Sequence, residues 1–201
     1  MFDHLLRGTK DRLLAPLASL LRDVQPNMLS FMALLLGLAA AVAAAGGRWR
    51  VGAVLWLANR VVDGLDGSVA RLSGTQTDFG GYFDILLDFV VYAAIPLGFA
   101  VHSVERGVLV MAVLLEGAFF VNACSWMYLA AVLEKRASGA GASGELTTVT
   151  MPPALIAGFE TIVFFTLFFL FPDRLVTLFA LMSALVGINV IQRLLWARKV
   201  L

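Results

Sequence analysis

Long apolar runs, each closed by a short polar break, dominate the chain. Six of them are long enough to cross a bilayer: residues 27–45, 51–70, 79–101, 108–133, 153–171 and 175–196. Turn-forming or charged segments separate them: Gly46-Gly47-Arg48-Trp49-Arg50, the polar stretch 71–78, His102 to Gly107, and Pro172-Asp173-Arg174. Glu134 to Thr148, rich in Gly, Ser and Ala, is the one longer loop. No run alternates with a period of two, and no segment repeats. The pattern therefore predicts an all-α integral membrane bundle of six transmembrane helices, forming one domain over residues 1–201.

Ahead of the first run, residues 3–23 read differently. Leu5, Leu6, Leu13, Leu14, Leu17, Leu20 and Leu21 recur at helical spacing, with Arg7, Lys10, Arg12 and Arg22 between them. This predicts an amphipathic helix lying in the membrane interface, basic side towards the headgroups. Pro16 should kink or divide it. The stretch has no single apolar core of the kind a cleaved signal peptide carries. Gln25-Pro26-Asn27 then breaks the pattern and opens the first span.

Composition agrees with the runs. The chain has 201 residues and is 60% hydrophobic, with a mean hydropathy of +0.88, which places it outside the soluble range. A formal net charge of +1 gives no reason to expect nucleic-acid binding, and a single cysteine, Cys124, excludes an intrachain disulfide. The basic residues are unevenly placed. With the N-terminus inside, the inner side holds Arg7, Lys10, Arg12, Arg22, Arg71, Lys135, Arg136, Arg198 and Lys199. The outer side holds Arg48, Arg50, Arg106 and Arg174. That bias predicts both termini in the cytoplasm.

Against this apolar background stand Asp63, Asp66, Asp84 and Asp88. Asp63 and Asp66 are three residues apart, Asp84 and Asp88 four, so each pair shares a helical face. An intramembrane carboxylate costs several kcal/mol unless paired or metal-bound. Four on two consecutive helices would repel one another, and hard divalent cations such as Mg²⁺ are the natural remedy. Gly67, Ala70 and Gly80 are small where a ligand would approach the backbone. Arg71, at the membrane surface, suits a diphosphate. Acidic metal ligands beside a guanidinium and small residues describe a site for phosphoryl chemistry, in the cytoplasmic half of the bundle. A spare carboxylate there can take a proton from an attacking hydroxyl.

The pattern Asp63-x2-Asp66-Gly67-x2-Ala70-Arg71, eight residues, then Gly80-x3-Asp84-x3-Asp88 resembles the signature of the CDP-alcohol phosphotransferases at all eight of its fixed positions. Pro26-Asn27 at the start of the first span also looks like that family. Gly158-x-Glu160-Thr161 looks like its small bacterial inner-membrane members, more loosely. The resemblance implies an enzyme that moves a phosphatidyl-type group from a CDP-linked lipid, such as CDP-diacylglycerol, to an acceptor hydroxyl and releases CMP. It implies two divalent cations, Mg²⁺ or Mn²⁺, with Asp63 and Asp84 shared by both, Asp66 serving one and Asp88 the other. Asp88 would also be the general base. Gly67, Ala70 and Gly80 would line the cytidine pocket, Arg71 and Thr77 would contact the CDP moiety, and the protein would be a homodimer.

Other polar positions in the apolar runs have several readings. Asn59 serves either a ligand or a helix–helix hydrogen bond. Arg60 either snorkels or pairs with an acid. Glu160 is assigned to function, Glu116 and Asn122 to structure. Arg193 meets either an acceptor phosphate or the headgroups, and Lys135 and Arg136 face anionic lipid. The 134–150 region has few basic residues and no Lys-Thr pair of the kind seen in glycerophosphate-using relatives. That lowers the weight of glycerol-phosphate and inositol-phosphate acceptors, which stay open as alternatives beside serine or an uncharged polyol. The rival from another class is a cation or proton transporter built on the same four carboxylates. It would have no use for Gly67, Ala70 and Arg71, and the chain lacks the inverted repeats common in transporters.

Overall fold

The computed structural model describes residues 14–136 and 156–201. Most of the amphipathic helix anticipated at 3–23, and the loop after Arg136, lie outside the described residues. Residues 14–20 are helical, Pro16 included. Ala18 of this segment is buried in a small apolar cluster with Leu29, Leu65 and Val69, while Leu20 on its other side is exposed. The segment thus lies against the next two helices with one face and leaves the other free.

Six helices follow. They are α1 (Pro26–Ala45), α2 (Trp49–Ser73), α3 (Asp78–His102), α4 (Arg106–Lys135), α5 (Gly158–Leu170) and α6 (Leu175–Val200). Local chemistry sets their ends. Pro26 begins α1 where a missing N–H costs nothing. Gly74 ends α2 in the left-handed conformation, φ 64°. Thr77 caps α3, its Oγ1 accepting from the Gly80 N–H at 3.0 Å. A 3₁₀ turn, Pro172–Arg174, joins α5 to α6.

The start of α5 differs from the sequence expectation, which began the span at 153. Residues 156 and 157 are not helical. The Ile156 peptide is held in both directions by the Asn189 side chain of α6: Ile156 N–H donates to Oδ1 at 3.0 Å, and Nδ2 donates to the Ile156 carbonyl at 2.7 Å. Glu160 Oε2 then accepts from the Ala157 N–H at 3.0 Å. Side chains thus hold the approach extended, and helix begins only at Gly158.

Among the described residues, four stretches are long and apolar enough to cross a membrane: α1, α3, α4 and Pro172–Val200. The other two runs fall short for definite reasons. α2 has 25 residues but carries Arg60, Asp63 and Asp66 among its apolar residues. α5 has 13 residues, a rise of about 20 Å against the roughly 30 Å of a hydrocarbon core. Large apolar side chains cover the outside of the bundle, among them Val42, Val101, Phe120 and Tyr128, as expected where the solvent is lipid rather than water.

α1 packs against both α2 and α3, α5 lies against α2, and α4 pairs with α6. The α1 contacts are close because the facing residues are small. A Cβ on Gly98 of α3 would collide with the Ala41 backbone of α1, and Ala33, Ala40 and Ala44 are buried along the same helix. The main core lies further along, where Trp56, Ile95, Phe99, Phe165, Phe168, Phe179 and Met182 are fully buried. α2 and α3 are therefore fixed on one side by α1 and on the other by the aromatic residues of α5.

The tight seam gives a direct test. Gly98→Val should cost about 2–3 kcal/mol, or prevent folding, because backbone cannot move aside. Gly117→Ala, whose new methyl would meet nothing within 4 Å, should stay within about 0.5 kcal/mol. Thermal unfolding of the two variants in detergent measures the difference.

Candidate active site

The polar ends of α2 and α3 meet where α1 begins. One carboxylate oxygen from each of Asp63, Asp66 and Asp84 lies within 4.8 Å of the others. Two of these residues come from α2 and one from α3, and α1, packed against both helices, brings them together. Asp66 is buried, and Asp63 and Asp84 are half-buried. Three carboxylates so close in an apolar bundle have the donor set and crowding that a hard divalent cation relieves. The residues therefore fit a metal ion.

Asp66 is held from two directions. Ser30 Oγ of α1 donates to its Oδ2 at 2.6 Å, and the Gly67 N–H donates to its Oδ1. Ser30 is buried, and Asp66 is too. Such a partner fixes which way a ligating carboxylate points. The sequence reading overlooked Ser30. Its only signal was position, one turn after Asn27 on the helix that opens with Pro26.

Asp88 stands outside the group of three. Its Oδ1 accepts from Arg60 Nη2 at 2.7 Å, and its Oδ2 accepts from the Tyr92 hydroxyl at 3.2 Å. Arg60 also comes within 3.6 Å of Asp63. Of the two readings open for Arg60, pairing with an acid is the one observed; its side chain is 7% exposed and does not snorkel. Asn59 makes the helix–helix bond, Nδ2 donating to the Ala33 carbonyl of α1 at 2.6 Å. Tyr92 went unnoticed in the sequence, although it lies one helical turn beyond Asp88.

The small and basic residues of the signature line the exposed end of this cluster. A Cβ on Gly67 would stand 3.1 Å from Arg71 Nη1, and one on Gly80 would stand 3.4 Å from Asn27 Oδ1. Arg71 Nη2 donates to Ser68 Oγ at 3.2 Å. Gly67, Ala70, Arg71 and Gly80 are half-buried, and residues 72–79 are exposed. Thr77 is at hand too, with its hydroxyl used as the α3 cap.

These features coincide with a known family. A sequence model of the CDP-alcohol phosphatidyltransferases matches residues 23–191. The chain belongs to this family. It is 34% identical over 149 residues to the inner membrane protein YnjF of Escherichia coli, covering 74% of this chain and 71% of that one. A CDP-diacylglycerol–serine O-phosphatidyltransferase of Helicobacter pylori is 35% identical over 71 residues, 35% of this chain and 30% of the relative. The crystal structure of Mycobacterium tuberculosis phosphatidylinositol phosphate synthase with CDP-DAG bound has the same fold: TM-score 0.73 and 22% identity, covering 92% of this chain and 94% of that one. The protein is accordingly an enzyme of CDP-alcohol phosphotransferase chemistry, passing a phosphate-linked group from a CDP-linked lipid to a polar acceptor with release of CMP.

A second polar cluster lies between α4 and α6. Arg193 Nη1 donates to Asn122 Oδ1 at 3.0 Å and to Ser125 Oγ, and Arg193 is buried. Its guanidinium is thus engaged within the α4–α6 pair. Glu116 is half-buried, with Oε1 unpartnered among the described residues. Glu160 is occupied at the start of α5. Arg136, expected at anionic lipid, donates from Nη1 to the Leu201 carbonyl at 2.6 Å.

Because Ser30 orients Asp66, Ser30→Ala should weaken Mn²⁺ binding by about 10-fold, within the range for lost outer-sphere partners. Asp66→Asn should weaken it further. Calorimetric titration of purified protein with Mn²⁺ compares them.

Proposed function

We propose that the enzyme uses CDP-diacylglycerol as donor and transfers its phosphatidyl group to an uncharged polar alcohol, serine or a polyol, at the cytoplasmic face of a bacterial inner membrane. The observation that carries the reading is the convergence of Asp63, Asp66 and Asp84 on one point, with Asp88 alongside and Arg71 towards the exposed end. In this reading all six helices span the bilayer, α2 and α5 shielded from lipid by their neighbours, and the enzyme works as a homodimer.

Asp63, Asp66, Asp84 and Asp88 would hold two divalent cations, Mg²⁺ or Mn²⁺. Asp63 and Asp84 would serve both, Asp66 one and Asp88 the other. The ions would neutralise the diphosphate and favour departure of CMP. The chain's own residues do the rest. Gly67, Ala70 and Gly80 leave room for the cytidine against the backbone of α2 and α3. Arg71, one helical turn beyond Gly67, reaches the diphosphate as a planar fork, and Thr77 contributes beside the exposed turn. Asp88 takes the proton of the acceptor hydroxyl as that oxygen attacks the lipid-side phosphorus. Each of its oxygens already accepts one hydrogen bond, and a carboxylate oxygen has a second lone pair for the incoming proton.

Charge decides among acceptors. Residues 134–150 contain only Lys135 and Arg136 as basic side chains. Arg60 is paired with Asp88 and Arg193 with Asn122 and Ser125. A phosphorylated acceptor, as in phosphatidylglycerophosphate or phosphatidylinositol-phosphate synthesis, would have to draw Arg60 away from Asp88.

The direct measurement is CMP release from CDP-diacylglycerol with Mg²⁺ or Mn²⁺ and, in turn, serine, inositol, glycerol 3-phosphate and inositol phosphate. Turnover should need an uncharged acceptor, stop with EDTA and return with Mn²⁺. Asp88→Asn should lower it roughly 100- to 10,000-fold, the usual range for a lost general base. Arg71→Ala should raise the KM for the donor while Mn²⁺ still binds. Release with the phosphorylated acceptors alone would reverse the acceptor assignment. Failure of a folded sample to bind CDP and metal would remove the reading altogether.

A further inference from the structure

Arg60 is gripped on every side. Its Nε donates to Asn59 Oδ1 at 2.6 Å, Nη1 to the Tyr92 hydroxyl at 3.0 Å and Nη2 to Asp88 at 2.7 Å. The guanidinium carbon lies 4.7 Å from the centre of the Trp56 ring and 5.4 Å from that of Tyr92. Trp56 is fully buried, donates from Nε1 to Thr166 Oγ1 of α5 at 3.2 Å and packs on Phe165 at 5.1 Å between ring centres. Asn59, which fixes the fork, is itself tied to the Ala33 carbonyl of α1. Residues of α1, α2, α3 and α5 thus combine to set one guanidinium.

A buried ion pair is a poor way to stabilise a bundle, since well-packed apolar residues of the same volume serve as well or better. The geometry here is that of an orienting device. A planar fork with all three nitrogens engaged cannot rotate, and a carboxylate held through one oxygen by that fork and through the other by Tyr92 cannot rotate either. Without the fork, the Asp88 side chain would be free to swing.

We propose that Arg60 is a positioning residue: with Tyr92 it fixes the Asp88 carboxylate in the orientation from which Asp88 meets the acceptor. The aromatic wall of Trp56 and Phe165 makes α5 part of this support, although α5 supplies no member of the acidic cluster. The proposal rests on the reading of Asp88 as the base. It adds a support for Asp88 that is supplied by a residue outside the family signature quoted above.

The test separates turnover from binding. Arg60→Gln should lower kcat at least 100-fold while the KM for CDP-diacylglycerol and the tightest Mn²⁺ affinity, read by electron paramagnetic resonance, stay within threefold. Arg60→Lys keeps the charge but not the fork and should fall between that variant and the unaltered protein. Tyr92→Phe should lower kcat about 5- to 20-fold with the same unchanged binding. An Arg60→Gln enzyme with normal kcat would overturn the proposal. So would one that loses Mn²⁺ binding and turnover together, since that marks a merely structural residue. If Arg60→Gln does not fold, Arg60→Lys and Tyr92→Phe decide: normal kcat in both overturns the proposal, and reduced kcat with intact Mn²⁺ binding supports it. Asp88→Asn is run alongside. If it turns over normally, the base reading fails and the proposal with it; if it is inactive while Arg60→Gln is normal, the proposal alone fails.

Discussion

Four carboxylates confined to one end of a helix pair are the constraint around which this bundle is built. In a low-dielectric interior their mutual repulsion would drive α2 and α3 apart. Two kinds of compensation meet at the site. Arg60 is a permanent positive charge built into α2, in contact with Asp88 and near Asp63. The three carboxylates gathered apart from Asp88 have the donor set for a mobile charge, a divalent cation. The first holds Asp88 in place, and the second gives the three carboxylates a donor set suited to a metal ion.

Neither compensation would serve without close packing behind it. The first span contributes no carboxylate, yet Ser30 orients Asp66, Asn59 is anchored on the Ala33 carbonyl, and small residues bring α1 against Gly98 of α3. A bulkier first helix would separate α2 and α3 and with them the two halves of the acidic cluster. The other side is braced by aromatic side chains, Trp56 and Tyr92 against Phe165. The pair of α4 and α6 shares little of this, and its buried polar contacts centre on Arg193. The chemistry-bearing residues thus sit on the α1–α2–α3 layer, with α5 as a buttress.

The apolar runs were enough to read the helices, and the acidic spacing was enough to read the cluster, because both follow from the period of a helix. The sequence could not show which carboxylate stands apart. Asp63, Asp66, Asp84 and Asp88 look equivalent in a pattern of spacings. Their separation into three and one depends on how α2 rotates against α3 and on a pairing across 28 positions, Arg60 with Asp88. Ser30 escaped notice for the same reason, since a lone serine in an apolar helix gives no sign of what lies 36 residues away. The late start of α5 was hidden because it depends on Asn189, 33 positions further on. Long-range side-chain bonds, rather than propensity, decided each of these points.

The same contacts bear on the choice between an enzyme and a cation path. A path across a membrane needs polar groups or water on both sides of its binding site. Here the carboxylates face exposed chain in one direction, at residues 72–79. In the other direction the following turns of α2 and α3 bring Trp56, Ile95 and Phe99, all fully buried and packed with Phe165, Phe168 and Phe179. A cation that reached Asp88 would meet a guanidinium and then a wall of aromatic carbon. An arrangement open at one end and sealed at the other suits a reaction whose soluble acceptor arrives and whose nucleotide leaves by the same mouth.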